Sequence, residues 1–316
     1  MKRTFVLLLI VIAGFLAFTH MQHLLAEDRR EGNDASFIWP ISGSDGIPDL
    51  PQSSTYGPRL KASENFRYDY HQGIDIPTPI GTTLLAVSSG TVRIAGSHPA
   101  YSDGVVQIDH GNNLYSNYLH VSASLVVTGQ VVNMGDPVAL SGASAGDNGF
   151  QHLHFEIREG SFFRRDAINP WRYLPYSDTV RHTAVITHIS PQKAITIQVS
   201  TPSDELDINE ITLAIRSMTD GQLLDSRVLN YETRNKAYGG DPTLLDNPDL
   251  ENSIIAPHKF NSSSATYVVD VQFYNLNGFG EIEVEVCAID VKGNPVCSTA
   301  NGHFPHVLFL PVTMKP

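Results

Sequence analysis

The sequence is poor in cysteine, tryptophan and positive charge. Its 316 residues include 2 Cys and 2 Trp, and 21 Lys or Arg stand against 33 Asp or Glu, which gives a formal net charge of -12. Nucleic acids and anionic membranes are bound by basic surfaces, so this balance argues against both as partners. A neutral or cationic polymer is compatible with it.

Lysine is absent between Lys61 and Lys193. The glycine-punctuated stretches 90–92 and 129–138 are similar to the two sheets of a lipoyl-like carrier module. A carrier of that kind needs an exposed acceptor lysine at the tip of a hairpin. The missing lysines therefore exclude this class of protein.

The two cysteines, Cys287 and Cys297, have their midpoint at position 292, inside the segment Lys292-Gly293-Asn294. Residues 281–289 alternate like a strand and Gly293-Asn294 supplies a turn, so the two thiols are predicted to face each other across a hairpin. A disulfide there would stabilise the fold by about 2–3 kcal/mol and needs an oxidising compartment. The alternative, a metal-binding cysteine pair, lacks a nearby His or further Cys.

One long apolar run, 5–18, lies close to the N-terminus. Lys2 and Arg3 precede it and Leu24-Leu25-Ala26 follows, as in an export signal with its cleavage site. The run is shorter than the roughly 20 residues of a membrane-spanning helix. We predict a cleaved signal peptide at 1–26 and a charged linker at 27–36, which would place the mature protein outside the cell or in the cell envelope without stable membrane insertion. An uncleaved N-terminal membrane anchor is the alternative.

The rest of the chain is predicted to be mostly β, because short apolar runs alternate with many of its 24 Gly and 19 Pro. Two domains are expected, 37–175 and 183–316, and the first is expected to fold alone. In the first domain, strands are predicted at 83–87, 90–95, 105–109, 114–120, 137–140 and 152–158.

The second domain is predicted to be a β-sandwich of immunoglobulin or fibronectin type, because its short strands alternate and are separated by turns. Its strands are expected at 194–200, 210–217, 223–231, 265–274, 281–289 and 295–299, with a further strand at 306–312. The acidic segment 236–257 does not have the spacing of an EF-hand and is interpreted as a solvated loop rather than a calcium site.

Histidines and one aspartate form two short motifs, His71-Gln72-Gly73-Ile74-Asp75 and His152-Leu153-His154. Residues i and i+2 of a strand lie on one face, roughly 6.6 Å apart, so one metal-bound and one free His can point into the same cleft. His71, Asp75 and His154 make the three-ligand set of a catalytic zinc, about one ion per chain. No His-Glu-x-x-His helix supplies a general base, and Gly73 with the nearby prolines indicates a loop that enters a strand.

Together with 106–120, which ends in Tyr118-Leu119-His120, and with Tyr56-Gly57-Pro58-Arg59, these motifs resemble the M23 family of zinc metallopeptidases, the lysostaphin and LytM group. The resemblance covers roughly 37–175. It implies a small antiparallel β-sheet domain, a zinc held by His71, Asp75 and His154, and hydrolysis of peptide bonds in peptidoglycan. It also implies that His120 and His152 are catalytic, as general base and as stabiliser of the oxyanion.

One segment, Asp147-Asn148-Gly149-Phe150-Gln151, departs from the family pattern, which bears on substrate preference. A catalytically inactive M23-like module that binds cell wall or partner proteins is the alternative function. Two side chains have two interpretations each. Tyr118 either orients the substrate or packs on its strand. Arg59 either pairs with a ligand carboxylate or the substrate, or forms a surface ion pair. His98, His110 and the histidines from 182 onward are interpreted as structural or incidental.

Overall fold

The computed structural model describes residues 37–41, 55–61, 67–101, 103–144, 149–176, 182–189, 194–200, 207–238, 256–260, 264–270 and 280–303. The predicted signal peptide, linker and 306–312 strand lie outside these residues, as does most of the predicted acidic loop. Within the described part of the chain, no helix has the length and apolar character needed to cross a membrane. The described residues from 37 to 303 belong to one compact unit.

The first part of this unit is built from short antiparallel strands. They are β1 (Gly57–Lys61), β2 (Arg67–His71), β3 (Ile74–Pro77), β4 (Thr83–Leu85), β5 (Gly90–Gly96), β6 (Gly104–Asp109), β7 (Leu114–Ser124), β8 (Val131–Val132), β9 (Pro137–Ala143), β10 (Gln151–Glu159) and β11 (Ala167–Ile168). Strands β1 and β2 pair with each other. The others form one sheet in the order β11-β10-β9-β7-β6-β5-β8, with β3 beside β10 and β4 beside β9.

Strand β10 is buried on both of its faces. Leu153, Phe155 and Ile157 are fully buried on one face and pack in the apolar core. The opposite face carries the polar residues of the strand, His152, His154, Glu156 and Arg158, which are also buried. A strand with two buried faces in which one is polar is unusual, because each buried polar group needs a partner. This polar face forms the functional site described below.

A short turn at 110–113 joins β6 and β7. Gly111, Asn112 and Asn113 have φ values of 81°, 51° and 59°. Glycine and asparagine adopt this left-handed conformation more readily than other residues, which explains the composition of the turn.

The second part of the unit contains two four-stranded antiparallel sheets. Their strands are β12 (Thr183–Ile189), β13 (Ala194–Ser200), β14 (Ile208–Ser217), β15 (Leu223–Asn230), β16 (Ala256–Phe260), β17 (Ser264–Asp270), β18 (Glu281–Asp290) and β19 (Pro295–His303). One sheet has the order β12-β13-β17-β16 and the other β15-β14-β18-β19. If β12 to β19 are lettered A, B, C, C′, D, E, F and G in chain order, the two sheets have the strand orders A-B-E-D and C′-C-F-G, as in immunoglobulin-like sandwiches. Buried side chains of β13, β14 and β18 share one core.

The predicted mostly-β fold is therefore confirmed. The structure also contains strands that were not predicted: β1, β2, β3, β8 and β11 in the first part, and β12 and β16 in the second. The end of β15 was predicted wrongly: β15 ends at Asn230, and Tyr231–Tyr238 forms a helix, α1, where a strand end and the start of a loop were predicted. The side chain of Asn230 accepts a hydrogen bond from the Thr233 N–H at 3.0 Å. Asparagine in this position caps a helix N-terminus, which favours α1 over a longer strand.

The predicted disulfide is present. Cys287 on β18 and Cys297 on β19 face each other in register and are bonded. The side chain of Asp290 fixes the connecting turn, because its carboxylate accepts the N–H groups of Lys292 and Asn294 at 2.8 Å each.

Helix α1 connects the two sheet systems. The side chain of Asn235, fully buried, donates to the carbonyl oxygen of Ala167 at 3.0 Å and accepts from the Gln72 amide at 3.3 Å. The hydroxyl of Tyr70 donates to the carbonyl oxygen of Tyr231. The helix therefore contacts the chain directly next to His71. The predicted boundary between 175 and 183, and the independent folding of 37–175, stay predictions.

Candidate metal centre and its flanking histidines

His71 and Asp75 lie on either side of a tight turn. His71 ends β2, and Asp75 is the second residue of β3, where it pairs with His154 of β10. The sequence suggested that Gly73 permits a bend through its conformational freedom. The structure gives a different reason: a Cβ at Gly73 would lie 2.3 Å from the carbonyl oxygen of Phe155. Only glycine lets the turn pass this close to β10.

Three side-chain atoms converge at this point. His71 Nε2 lies 3.0 Å from Asp75 Oδ1 and 2.9 Å from His154 Nδ1, and His154 Nδ1 lies 2.9 Å from Asp75 Oδ1. All three residues are buried. They form a group of metal-ligand type within the described residues.

The outer nitrogen of each ring has an acceptor of its own. His71 Nδ1 lies 2.8 Å from the carbonyl oxygen of Thr55, and His154 Nε2 lies 3.1 Å from Glu156 Oε1. A carbonyl or carboxylate oxygen accepts a hydrogen bond, so each outer nitrogen carries the proton in the neutral ring. The inner nitrogens, His71 Nε2 and His154 Nδ1, then present lone pairs to each other and to Asp75.

The carboxylate of Asp75 is charged in this setting. Burial alone would raise the pKa of Asp75, but the neighbouring His71 and His154 outweigh it and hold the pKa well below its usual range. His71 and His154 lower the pKa of Asp75 through a proton on the ring nitrogen that faces it. When both rings are neutral, two nitrogen lone pairs and an anionic oxygen face one another in a buried space, and a cation has to supply the positive charge instead. This set of donors fits a cation, and its outer hydrogen bonds are those that orient metal-bound imidazoles.

Glu156 and Arg158 extend the polar face of β10 behind His154. Glu156 Oε2 accepts from Arg158 Nε at 2.7 Å, and Arg158 also donates to the carbonyl oxygen of Phe162. Burial would raise the pKa of Glu156, but Arg158 and His154 lower it below its usual range. Glu156 is therefore an anion that both orients His154 and neutralises a buried guanidinium.

Replacing Glu156 with alanine is expected to lower the free energy of unfolding by about 3–5 kcal/mol, because it leaves the guanidinium of Arg158 buried without its carboxylate. Urea unfolding followed by circular dichroism measures the loss. The matched control is Glu281→Ala, which removes a carboxylate with 64% exposure on β18 and should leave the midpoint unchanged. Equal midpoints for Glu156→Ala and the wild type would contradict the buried pair.

His120 and His152 lie beside the three converging residues. The ring centroids of His120 and His152 are 4.8 Å apart, and those of His120 and His154 are 5.9 Å apart. His152 Nε2 lies 3.5 Å from Asp75 Oδ1, while its Nδ1 lies 3.0 Å from the carbonyl oxygen of Phe150. The structure thus brings all five sequence-predicted site residues together.

One site residue was missed by the sequence reasoning. Asp103 Oδ2 lies 2.8 Å from Nδ1 of His120. Burial and the nearby His154 lower the pKa of His120, and the carboxylate of Asp103 opposes this shift. The sequence before Asp103, His98-Pro99-Ala100-Tyr101-Ser102, has no recognisable motif, so no local signal pointed to it.

The structure decides between the two interpretations of Tyr118. Tyr118 is fully buried, and its hydroxyl oxygen accepts from the Val87 N–H at 2.8 Å, so it packs in the core and does not face the site. His110 is structural as predicted, since its ring nitrogens contact the Ser89 carbonyl and the Ser116 hydroxyl at 2.9 Å each. The side chain of Arg59 and residues Asp147 and Asn148 lie outside the described residues. Phe150 packs near His152, with ring centroids 5.1 Å apart, and is 45% exposed.

An antiparallel sheet with a buried His-Asp-His cluster and two further histidines beside it defines a metallohydrolase-type site. The particular family follows from sequence: residues 69–170 match the family model for Peptidase family M23. This match agrees with the resemblance found in the motifs.

Several curated proteins match the same region. The peptidoglycan DD-endopeptidase ShyA of Vibrio cholerae is 38% identical over 105 residues, which cover 33% of this chain and 24% of ShyA. The uncharacterized lipoprotein YgeR of Escherichia coli is 35% identical over 33% of this chain and 39% of its own length. The murein hydrolase activator NlpD of Salmonella dublin is 32% identical over 36% of this chain and 29% of its own length. The match therefore spans well under half the length of each of these relatives.

Among solved structures, the catalytic domain of lysostaphin from Staphylococcus simulans aligns with a TM-score of 0.36 and 25% identity. The alignment covers 41% of this chain and 95% of the lysostaphin chain.

Proposed function

We propose that the protein is an exported, zinc-dependent endopeptidase that hydrolyses peptide bonds in bacterial peptidoglycan. The observation that carries the proposal is the convergence of His71, Asp75 and His154 in a domain of peptidase family M23, with His120 and His152 beside them. The names of relatives such as ShyA support peptidoglycan peptides as the substrate class.

His71, Asp75 and His154 would hold one zinc ion per chain. Two neutral imidazoles and one carboxylate are a ligand set of catalytic zinc sites, which keep one further coordination position open. The hydrogen bonds that Thr55 and Glu156 accept from the two rings support this assignment, since they leave both inner ring nitrogens with lone pairs. A bound zinc supplies Lewis acidity, which lowers the pKa of water and polarises a carbonyl group.

The protein's own groups perform the proton transfers. As water attacks the peptide carbonyl carbon, one of the two free imidazoles accepts the proton, and this proton later passes to the leaving amine when the C–N bond breaks. The other imidazole donates a hydrogen bond to the oxyanion that develops on the carbonyl oxygen. His120 and His152 supply these two groups.

The cellular location belongs to the same proposal. The predicted signal peptide at 1–26 and the disulfide between Cys287 and Cys297 both accord with an oxidising compartment outside the cytoplasm. Peptidoglycan lies in that compartment, so the substrate and the location are mutually consistent.

A second candidate is a catalytically inactive module that binds cell wall or regulates another hydrolase. The specific observation in its favour is the match to a protein named a murein hydrolase activator. Against it stands the complete set of five chemical side chains in this chain, which a binding module has no need to keep.

Digestion of purified peptidoglycan, with mass analysis of the released fragments, tests the two candidates. An endopeptidase releases fragments whose masses differ from those of the substrate by the addition of water across a peptide bond. Release of such fragments that stops when the metal is chelated, and resumes when zinc is restored, supports the enzyme. Zinc-loaded protein that binds the polymer and releases no fragments supports the binding module.

A further inference from the structure

Asp103 is a carboxylate next to the site to which the proposed function gives no task. It lies directly before β6. The side chains of Asp103 and His120 are 17% and 19% exposed, respectively. Its Oδ2 contacts Nδ1 of His120 at 2.8 Å. A carboxylate in this relation to an imidazole holds the ring in one orientation and in one tautomer.

The backbone around His120 is shaped to bring it to Asp103. In the β6–β7 ladder Gly104 pairs with Val121 and Val105 pairs with Leu119, so His120 is the extra residue of a β-bulge. Its φ is 58°, a left-handed value that is uncommon for a residue with a side chain. Bulges beside active sites re-aim side chains, and strained backbone persists where the surrounding structure enforces it.

Two glycines allow the neighbouring strands to pass this bulge. A Cβ at Gly104 would lie 2.4 Å from the carbonyl oxygen of Val121, and a Cβ at Gly142 would lie 2.4 Å from the carbonyl oxygen of His120. The bulge is therefore accommodated on both sides by residues without side chains. The direction of the His120 ring is therefore set by the backbone of the sheet.

The two histidines beside the metal centre have different partners. Nδ1 of His152 faces a neutral acceptor, the carbonyl oxygen of Phe150, at 3.0 Å, and its Nε2 lies 3.5 Å from Oδ1 of Asp75, a carboxylate that is assigned to the metal. Nδ1 of His120 faces a carboxylate. A carboxylate stabilises the protonated ring more than a carbonyl does, since the hydrogen bond becomes charge-assisted on both sides.

We propose that Asp103 is a positioning residue that makes His120, rather than His152, the imidazole that carries the proton. Asp103 holds the proton on Nδ1 of His120, which leaves the Nε2 lone pair on the ring edge away from Asp103. This nitrogen takes the proton from the attacking water and delivers it to the nitrogen of the breaking C–N bond. The proposal rests on the proposed hydrolytic function.

The first test is kinetic, on a cross-linked peptidoglycan peptide, with zinc content and melting temperature measured in parallel. Asp103→Ala is expected to lower kcat by roughly 10- to 100-fold, less than loss of the general base itself, with little change in KM or zinc content. Asp103→Asn keeps an acceptor for the Nδ1 proton, so its kcat should lie between that of the wild type and that of Asp103→Ala. Glu281→Ala is the control, because it removes another carboxylate paired with a histidine, His303, and should leave kcat unchanged.

A double variant and a spectroscopic measurement complete the test. In the His120→Ala background, Asp103→Ala should cause no further loss, because its effect passes through the ring. In ¹⁵N spectra at neutral pH, His120 should be protonated on Nδ1 in the wild type and should populate both tautomers in Asp103→Ala.

Wild-type kcat in Asp103→Ala, or an undiminished loss in the His120→Ala background, would overturn the positioning role. A wild type that cleaves no peptide would overturn the hydrolytic function instead. The spectra then decide on Asp103 by themselves: an altered tautomer supports the contact, and an unaltered one refutes it.

Discussion

Replacing His154 with alanine is expected to lower bound zinc from about one ion per chain to almost none. The substitution removes the nitrogen that lies 2.9 Å from both His71 Nε2 and Asp75 Oδ1, so only two of three donors remain. Catalytic zinc sites depend on three protein ligands, and two rarely retain the ion through purification. Elemental analysis of dialysed protein measures the stoichiometry, and cleavage of peptidoglycan should fall in proportion.

The matched control is His188→Ala, which removes an exposed imidazole on β12 and should leave one zinc ion per chain. Unfolding by urea should be followed for both variants, so that loss of metal is separated from loss of fold. Full zinc content in folded His154→Ala protein would show that other residues hold the ion.

Replacing either His120 or His152 with alanine is expected to leave zinc content near one ion per chain and to reduce peptide cleavage by roughly 10²- to 10⁴-fold. Both rings flank the three-residue cluster, and neither belongs to it. Loss of a positioned proton donor or acceptor affects the chemical step, so the decrease should appear in kcat.

His110→Ala controls for the loss of an imidazole from the same sheet, because its ring contacts the carbonyl oxygen of Ser89, the hydroxyl of Ser116 and the ring of Phe37. That variant should keep most of its turnover. Wild-type rates in both His120→Ala and His152→Ala would refute the proposed roles, whereas loss of zinc in either would move that residue into the ligand set.

The sequence predicted the residues of the site better than their surroundings. The motif at 152–154 has the two-residue period of a strand, and β10 does place both imidazoles on one face. His71 and Asp75 are separated by a turn whose glycine is required, for a reason of close packing that spacing alone does not reveal. Order along the chain and residue type were enough to nominate the ligands.

The partners of those residues could not be predicted in the same way. His71 is oriented by the carbonyl oxygen of Thr55, a backbone atom that every residue has. Asp103 reaches His120 only because of a β-bulge, and a single extra residue in a ladder leaves no pattern in the sequence. Both contacts depend on tertiary register, which the local sequence does not encode.

The same limit applies to the elements. Strands with clear alternation were predicted within a few residues, whereas β8 and β11 have two residues each and no periodicity to detect. Helix α1 was missed because a local cap, the side chain of Asn230, ends the preceding strand. Short elements are fixed by their neighbours and by caps, which composition and period do not report.

The buried contact between Asn235 and Gln72 bears on how freely the proposed peptidase region could be exchanged between proteins. A chimera that joins residues 37–175 to a foreign C-terminal domain would lose the amide that receives Gln72, next to His71, and that donates to the carbonyl oxygen of Ala167. Buried polar groups without partners are costly. A graft that preserves these contacts would therefore have to carry α1 with it, or supply another amide at the same place. The helix is in this sense a part of the proposed peptidase region that is encoded downstream of it.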